Sequence, residues 1–371
     1  MLVALFCESQ TPHLQLKREG RSSPARLRLS HRKEEYEEGN RKKMKIITLE
    51  EHFQLAEIKK AVSKMLPGFA QGFHLPAYDA PDSQLEDLGA DRLHHMDAMG
   101  IDVQVLSYPS SGIQGVPAAE AVPLARDAND QLATAIQAHP DRFAGFATLP
   151  TPDPSAAAAE FERAVKKLGF KGALIAGRIN DRFLDDPSFH PILEAAVALD
   201  VPIYLHPAFP SKVVQDAYYA GFDPVVSASF ATFGWGWHME TGIHALRMIL
   251  GGVFDRYPSL QLILGHWGEM IPFYLARVNE ALSPAAKHLQ RPVADYFLQQ
   301  VYVTPSGMFT LPPFLLTLQI MGADRIMYAV DYPFIAGDQA RTFLEQAPIS
   351  PADKEKIAHG NAEKVLKLSP Q

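Results

Sequence analysis

Cysteine is almost missing from this 371-residue chain, with Cys7 the only one. An internal disulfide, a thiolate metal cluster and a redox-active cysteine pair are therefore excluded, and the usage fits a reducing cytoplasm. Long hydrophobic runs are missing as well. Nothing in the sequence approaches the roughly 18 consecutive apolar residues that a membrane span needs. A large excess of one charge sign is also lacking: the net charge of −7 is mildly acidic, which gives no electrostatic ground for binding nucleic acid or an anionic membrane surface. No Gly-x-Gly-x-x-Gly follows the first strand-like run, so a dinucleotide-binding doubly wound sheet lacks its fingerprint.

What is present is an apolar fraction of 47% with 21% charged residues, enough to bury a sizeable core in an ordinary globular protein. The first 43 residues stand apart. They hold ten Lys/Arg against six Asp/Glu, a local charge of +4 on an otherwise acidic chain, and their acidic content argues against a transit peptide. Residues 1–43 are expected to be a disordered tail or a non-native extension ahead of Met44, with one large domain over 44–371.

From Met44 onward, short apolar runs alternate with longer segments of helical period. The strand-like runs are Lys45–Leu49, Val103–Ser107, Phe143–Thr148, Gly172–Ala176, Pro202–Leu205, Leu260–Leu264, Val301–Thr304 and Arg325–Val330. Their nearly continuous apolar character predicts strands buried on both faces of a parallel sheet. Helices are expected over Gln84–Met99, Pro117–Ala138, Pro154–Leu168, Phe189–Leu199, Met239–Phe254, Met270–Ala281, Pro312–Met321 and Ser350–Leu368. Turn signals such as Met99-Gly100 and Leu168-Gly169 close several of them. Eight strands alternating with eight helices predict a (β/α)₈ barrel. Residues 53–83 and 206–238 are long and rich in Gly, Pro and aromatics, as expected of loops that shape a substrate site over the barrel mouth.

In such a barrel the chemistry sits where strands end, at the C-terminal face. Strand one ends in Glu50-Glu51-His52, strand five in His206-Pro207, strand six in His266-Trp267-Gly268-Glu269 and strand eight in Asp331-Tyr332-Pro333. A lone histidine after a strand is more often a hydrogen-bonded core residue. Four such groups at one mouth are another matter, because buried unpaired charges cost several kcal/mol each without a cation. Glu50, His52, His206 and Asp331 are therefore expected to hold one divalent metal ion. Two imidazoles and two carboxylates suit zinc first and manganese second, with a position open for water or substrate.

Glu50-x-His52, the Val201–Pro207 strand, Leu264–Glu269 and Asp331-Tyr332-Pro333-Phe334 together resemble the amidohydrolase-2 family. Within it they are most similar to the aminocarboxymuconate-semialdehyde decarboxylase branch, which includes γ-resorcylate and 2,3-dihydroxybenzoate decarboxylases. Trp235-x-x-x-x-Glu240-Thr241, His244–Arg247 and Phe254–Pro258 support the resemblance, which runs from about Lys45 to Leu368. It implies the same four metal ligands, and it implies that His266 and Glu269 form a polar pair near the substrate. Arg277 matches a position tied in that family to substrate or to subunit contact. The resemblance also implies a homo-oligomer, a dimer or a tetramer. Strand four, Lys171–Gly177, has its lysine at the wrong end to bridge two metals, so a single ion is expected. The short passage Arg178–Asp181 and the Ala208-Phe209-Pro210 loop depart from the branch at the substrate pocket.

The implied activity is metal-dependent, non-oxidative decarboxylation of a hydroxybenzoate-like or related unsaturated carboxylic acid. Asp331 would pass a proton to the carbon that loses CO₂, and His266, oriented by Glu269, would stabilise charge on a ring oxygen. Phe53, Trp235, Trp237 and Phe334 would supply an apolar, ring-stacking wall. The alternative chemistry for the same four ligands is hydrolysis of a lactone, ester or amide, with Asp331 as base. A barrel that binds a ligand without catalysis would predict a broken constellation, and this one is intact.

Overall fold

The computed structural model describes residues 44–65, 80–109 and 111–368. The expectation for residues 1–43 lies outside the described residues. Met44–Gln371 forms one compact unit.

The strands are β1 (Ile47–His52), β2 (Val103–Ser107), β3 (Phe143–Gly145), β4 (Ala147–Thr148), β5 (Ala173–Ala176), β6 (Ile203–His206), β7 (Leu262–Leu264) and β8 (Val301–Val303). They pair in parallel in the orders β1-β2-β3 and β4-β5-β6-β7-β8. The predicted third run is split at Phe146, where the chain changes partner. Phe146 N donates to Leu106 O at 2.9 Å, and Ala147 N donates to Gly172 O at 2.8 Å. The predicted eighth run, 325–330, forms no regular ladder but is bonded on both sides. Met327 N donates to Val303 O, and Leu49 N donates to Tyr328 O, both at 2.9 Å. These bonds close the ring of eight runs, so the (β/α)₈ expectation holds.

Nearly every strand residue is buried, which is why the runs read as continuously apolar rather than alternating. Ile47, Leu49, Val105, Phe146, Leu174, Tyr204, Ile263 and Met327 belong to one buried cluster, the filled interior that such barrels build from strand side chains. A larger cluster, including Leu106, Ile175, Leu205, Leu264, Phe161 and Phe254, packs strands against helices.

Several helix ends follow local chemistry. Asp153 caps the helix Pro154–Leu168 by accepting from Ser155 N and Ala156 N, and Gly169 ends it at φ 79°, a left-handed position that costs glycine nothing. The helix expected over Gln84–Met99 is instead two, Asp82–Leu85 and Ala90–Met99. The Asp87 carboxylate accepts from Gly89 N and Arg92 N between them and starts the second helix afresh. The helix expected over Met239–Phe254 starts earlier, at Gly236, and stops at Leu250; Gly251-Gly252 separates it from Val253–Arg256. The stretch after β6 is not an open loop but carries Lys212–Val214, Gln215–Tyr219 and Pro224–Ala231 as helical turns. No helix among the described residues is long and apolar enough to cross a membrane.

Candidate metal centre and polar relay

β1 brings two of the four expected ligands. Its register against β2 slips between Thr48 and Glu51, a bulge that locally re-aims side chains at the mouth. Glu50 and His52 are both fully buried. Hydroxyls from two other strand ends hold one oxygen of Glu50: Tyr204 on β6 and Ser306 after β8 both donate to Oε2. Thr304 Oγ1 lies 2.8 Å from the Tyr204 hydroxyl. The other oxygen, Oε1, has no hydrogen-bond partner, and neither has His52 Nε2.

His206 ends β6. Its Nδ1–H donates to Pro207 O at 2.7 Å, which fixes the tautomer and leaves the Nε2 lone pair available. That nitrogen sits 3.3 Å from Glu50 Oε1. On the other side, His52 Nε2 lies 3.2 Å from Asp331 Oδ1, and the two imidazole rings stand edge to face at 5.0 Å. One ligand atom from each of Glu50, His52, His206 and Asp331 falls within 4.8 Å of the others. The structure thus brings together all four residues expected from the sequence.

Burial dominates the electrostatics of this group. It pushes the Glu50 and Asp331 carboxyls above their ordinary range. It also pushes His52 down to about 3 and holds His206 well below the usual imidazole value. All four are driven towards neutrality, since a dry site penalises charge. Two orphaned, buried ligand atoms turned towards one point fit a cation, which would restore charge to the carboxylates and accept the neutral imidazole lone pairs. The donor set fits a divalent metal ion.

Asp331 has a backbone φ of 68°, which costs a non-glycine residue about 1–2 kcal/mol. The conformation is held by Glu51, whose buried carboxylate accepts from Val330 N at 2.9 Å and Tyr332 N at 3.2 Å, one on each side of Asp331. Behind β1, the buried Arg92 donates to His52 O at 2.7 Å and lies over the Tyr332 ring.

His266 and Glu269 form the expected pair, Nδ1 to Oε1 at 2.8 Å. The turn carrying them is unusual, because His266, Trp267, Gly268, Glu269 and Met270 all have positive φ. A turn of that hand brings residues three apart to one face. It is pinned by Trp267 N to Thr304 O at 2.8 Å and Gly268 N to Gly265 O at 2.7 Å, and by the Trp267 indole donating to Met308 O. Strain of this kind gathers at functional sites. Glu269 is shared with a third residue, His238, whose Nδ1 meets Oε2 at 2.8 Å. Burial works against charge on both imidazoles, but the Glu269 carboxylate, helped by Phe233 O and Asp331 at His238 and by Glu50 at His266, more than offsets it, and both lie above the ordinary histidine value.

The remaining expected residues divide. Phe334 stands edge-on to His52 at 5.6 Å. Phe53 is fully buried, edge to face with Tyr108. Trp235 is 41% exposed, immediately ahead of the helix Gly236–Leu250, and Trp237 bonds to His238 Nε2 through its indole at 3.1 Å. Arg277 has its side chain 73% exposed and 3.3 Å from Glu280. Sequence reasoning missed Glu51, Tyr204, Ser306 and His238. Only Tyr204 left a trace, a phenol two residues before His206 in an otherwise apolar strand.

A family model described as amidohydrolase matches residues 58–368. The γ-resorcylate decarboxylase of Polaromonas sp. is 38% identical over 337 residues, spanning 87% of this chain and 98% of the relative. Among solved structures, a putative amidohydrolase from Staphylococcus aureus is 44% identical, with a TM-score of 0.78 over 88% of this chain and 100% of its own. The 5-carboxyvanillate decarboxylase LigW2 from Novosphingobium aromaticivorans, solved with bound manganese and a nitrobenzoic acid, is 35% identical, with a TM-score of 0.79 over 87% of this chain and 97% of its own.

Proposed function

The chain belongs to the amidohydrolase family, and from that premise we propose that it is a metal-dependent, non-oxidative decarboxylase of hydroxybenzoate-like acids, a carboxy-lyase. The observation that carries the reading is the pair of orphaned buried atoms, Glu50 Oε1 and His52 Nε2, facing His206 and Asp331 across a few ångströms. Glu50, His52, His206 and Asp331 are the residues that would hold the ion. When bound, a divalent cation supplies Lewis acidity to a substrate carboxylate and its neighbouring phenolic oxygen. Zinc is the first choice for two imidazoles and two carboxylates. Manganese, present in the Novosphingobium relative's structure, is the alternative that loading experiments must compare.

The chain's own groups account for the rest. Asp331, set on a strained turn that Glu51 grips, shuttles the proton: it takes one up from solvent and passes it to the ring carbon from which CO₂ departs, returning to its carboxylate form. His266, with Nδ1 tied to Glu269, presents its other nitrogen to an oxygen that gains charge as the carbon–carbon bond breaks. Phe334, against His52, and Trp235 confine the ring face and keep water from it. The substrate is a small aromatic carboxylic acid, and the working domain is 44–371. A single cysteine fits residence in a reducing cytoplasm.

We also assign the exposed side of the helix Ile271–Leu282 to self-association. Phe273 and Tyr274 stand out there at 63% and 53% exposure, one turn before Arg277, and such exposed rings near an arginine suit an interface.

The test is elemental analysis of the purified chain together with a panel of hydroxybenzoates followed for CO₂ release, beside a panel of lactones and esters. About one divalent ion per chain and CO₂ release are expected. Turnover of esters alone would transfer the site to hydrolysis. Asp331→Asn should lower CO₂ release by at least about a hundredfold with the fold intact; retained turnover would remove Asp331 from proton delivery.

A further inference from the structure

The helix Gly236–Leu250 meets the left-handed turn at 266–270 at very close range. A Cβ on Gly242 would lie 2.8 Å from Glu269 O, so only glycine lets the two backbones approach this far. One turn earlier on the same helix stands His238. Its Nδ1 is 2.8 Å from Glu269 Oε2, its ring centroid is 4.4 Å from that of His266, and it is largely buried.

The other nitrogen of His238 has a partner for each protonation state. Trp237 Nε1 donates to Nε2 at 3.1 Å when the ring is neutral, and Nε2–H donates to Phe233 O at 2.9 Å when it is charged. The ring therefore stays in place through titration. The charged and titratable groups that face it are Glu269 and, through space, Asp331, with the His266 ring beside it. Neither His238 nor Glu269 belongs to the four-residue cluster; with His266 they form a separate group whose nitrogen and carboxylate atoms lie within 4.8 Å of one another.

We propose that His238 is a positioning residue for decarboxylation, acting through Glu269 on His266. It holds Glu269 Oε2 so that Oε1 stays aligned on His266 Nδ1, and it divides the charge of one carboxylate between two imidazoles. Without it a buried carboxylate oxygen would lose its donor, and His266 would claim the full carboxylate charge. The same ring ties Phe233 and Trp237 to the group that stabilises developing charge. The inference rests on the decarboxylase reading for its catalytic consequence, but its coupling to His266 stands by itself.

Two variants separate the roles. His238→Leu removes donor and charge together; CO₂ release should fall about 10–100-fold in kcat, as for loss of a partner that orients an active group, with KM little changed. His238→Asn keeps an amide donor towards Glu269 and should recover most of the turnover. In both variants the His266 titration midpoint, read from imidazole ¹⁵N shifts of the full-length chain, should move to higher pH, because a neighbouring cation that disfavours its protonation has gone. If His238→Leu does not fold, His238→Asn still reads that midpoint. An unmoved midpoint in the folded variant overturns the inference, as does His238→Leu turnover equal to that of the parent. If the parent releases no CO₂ from any acid, the decarboxylase reading fails, and the His266 midpoint alone then decides whether His238 acts on it.

Discussion

At the level of single side chains, burial sets the chemistry, and His244 shows the rule away from the metal cluster. Its Nε2 accepts from Leu184 N at 2.8 Å. Burial first, then the Arg247 and Arg178 charges, hold it down to about 3 from an ordinary 6.5. The folded chain refuses a proton that the unfolded chain accepts, so the histidine's contribution to stability is complete above about 6.5 and erodes as pH falls towards 3. Measured against His244→Gln, which does not titrate, the advantage of the parent should shrink by about 1.4 kcal/mol per pH unit below 6.5. Urea unfolding at several pH values reads this directly, and a pH-independent difference would contradict it. The convergence of Glu50, His52, His206 and Asp331 was legible in the sequence because strand ends in a barrel share one mouth, so these four candidate ligands could be gathered by topology. The groups that hold them were not. Glu51 reads as one more acid beside Glu50, and only the folded backbone reveals that its carboxylate takes the two amides flanking Asp331.

At the level of elements, the approach of β7 to β1 is controlled by an absent side chain. A Cβ on Gly265 would come within 2.7 Å of Ser306 Oγ and 2.9 Å of Glu50 Oε2, inside the hydroxyl cradle that turns Oε1 towards the ligand point. Gly265→Ala should fold with a modest loss of stability but bind the ion about 10–100-fold more weakly, the usual cost of disturbing groups that orient a ligand. Metal titration after chelation and dialysis checks it, and unaltered affinity would remove the cradle from the site's construction. Strands and helices were mostly legible because buried parallel runs are short and apolar. The failures have local causes: Asp87 restarting a helix, Gly251-Gly252 ending one, and the eighth run bonding to both neighbours without a regular ladder. The left-handed turn at 266–270 had no signal beyond Gly268, since bonds from Thr304, Gly265 and Met308 impose it from outside.

At the level of the whole molecule, the exposed aromatic pair on the helix Ile271–Leu282 gives the assembly prediction. Replacing both Phe273 and Tyr274 with Glu should leave the thermal transition nearly in place at high dilution, since exposed substitutions cost little. It should also convert an associated species to a monomer in analytical ultracentrifugation. An unchanged sedimentation coefficient would put the interface on another face.

The closing bonds between the last run and β1 have a consequence for how the protein comes into being. Three of the four proposed ligand side chains, Glu50, His52 and His206, leave the ribosome long before Asp331. The fourth is placed only when 326–330 docks against β1 and Glu51 captures the amides on either side of it. On the proposed ligand set, a nascent or truncated barrel would lack a competent ion site, and acquiring the ion would mark a ring that has shut.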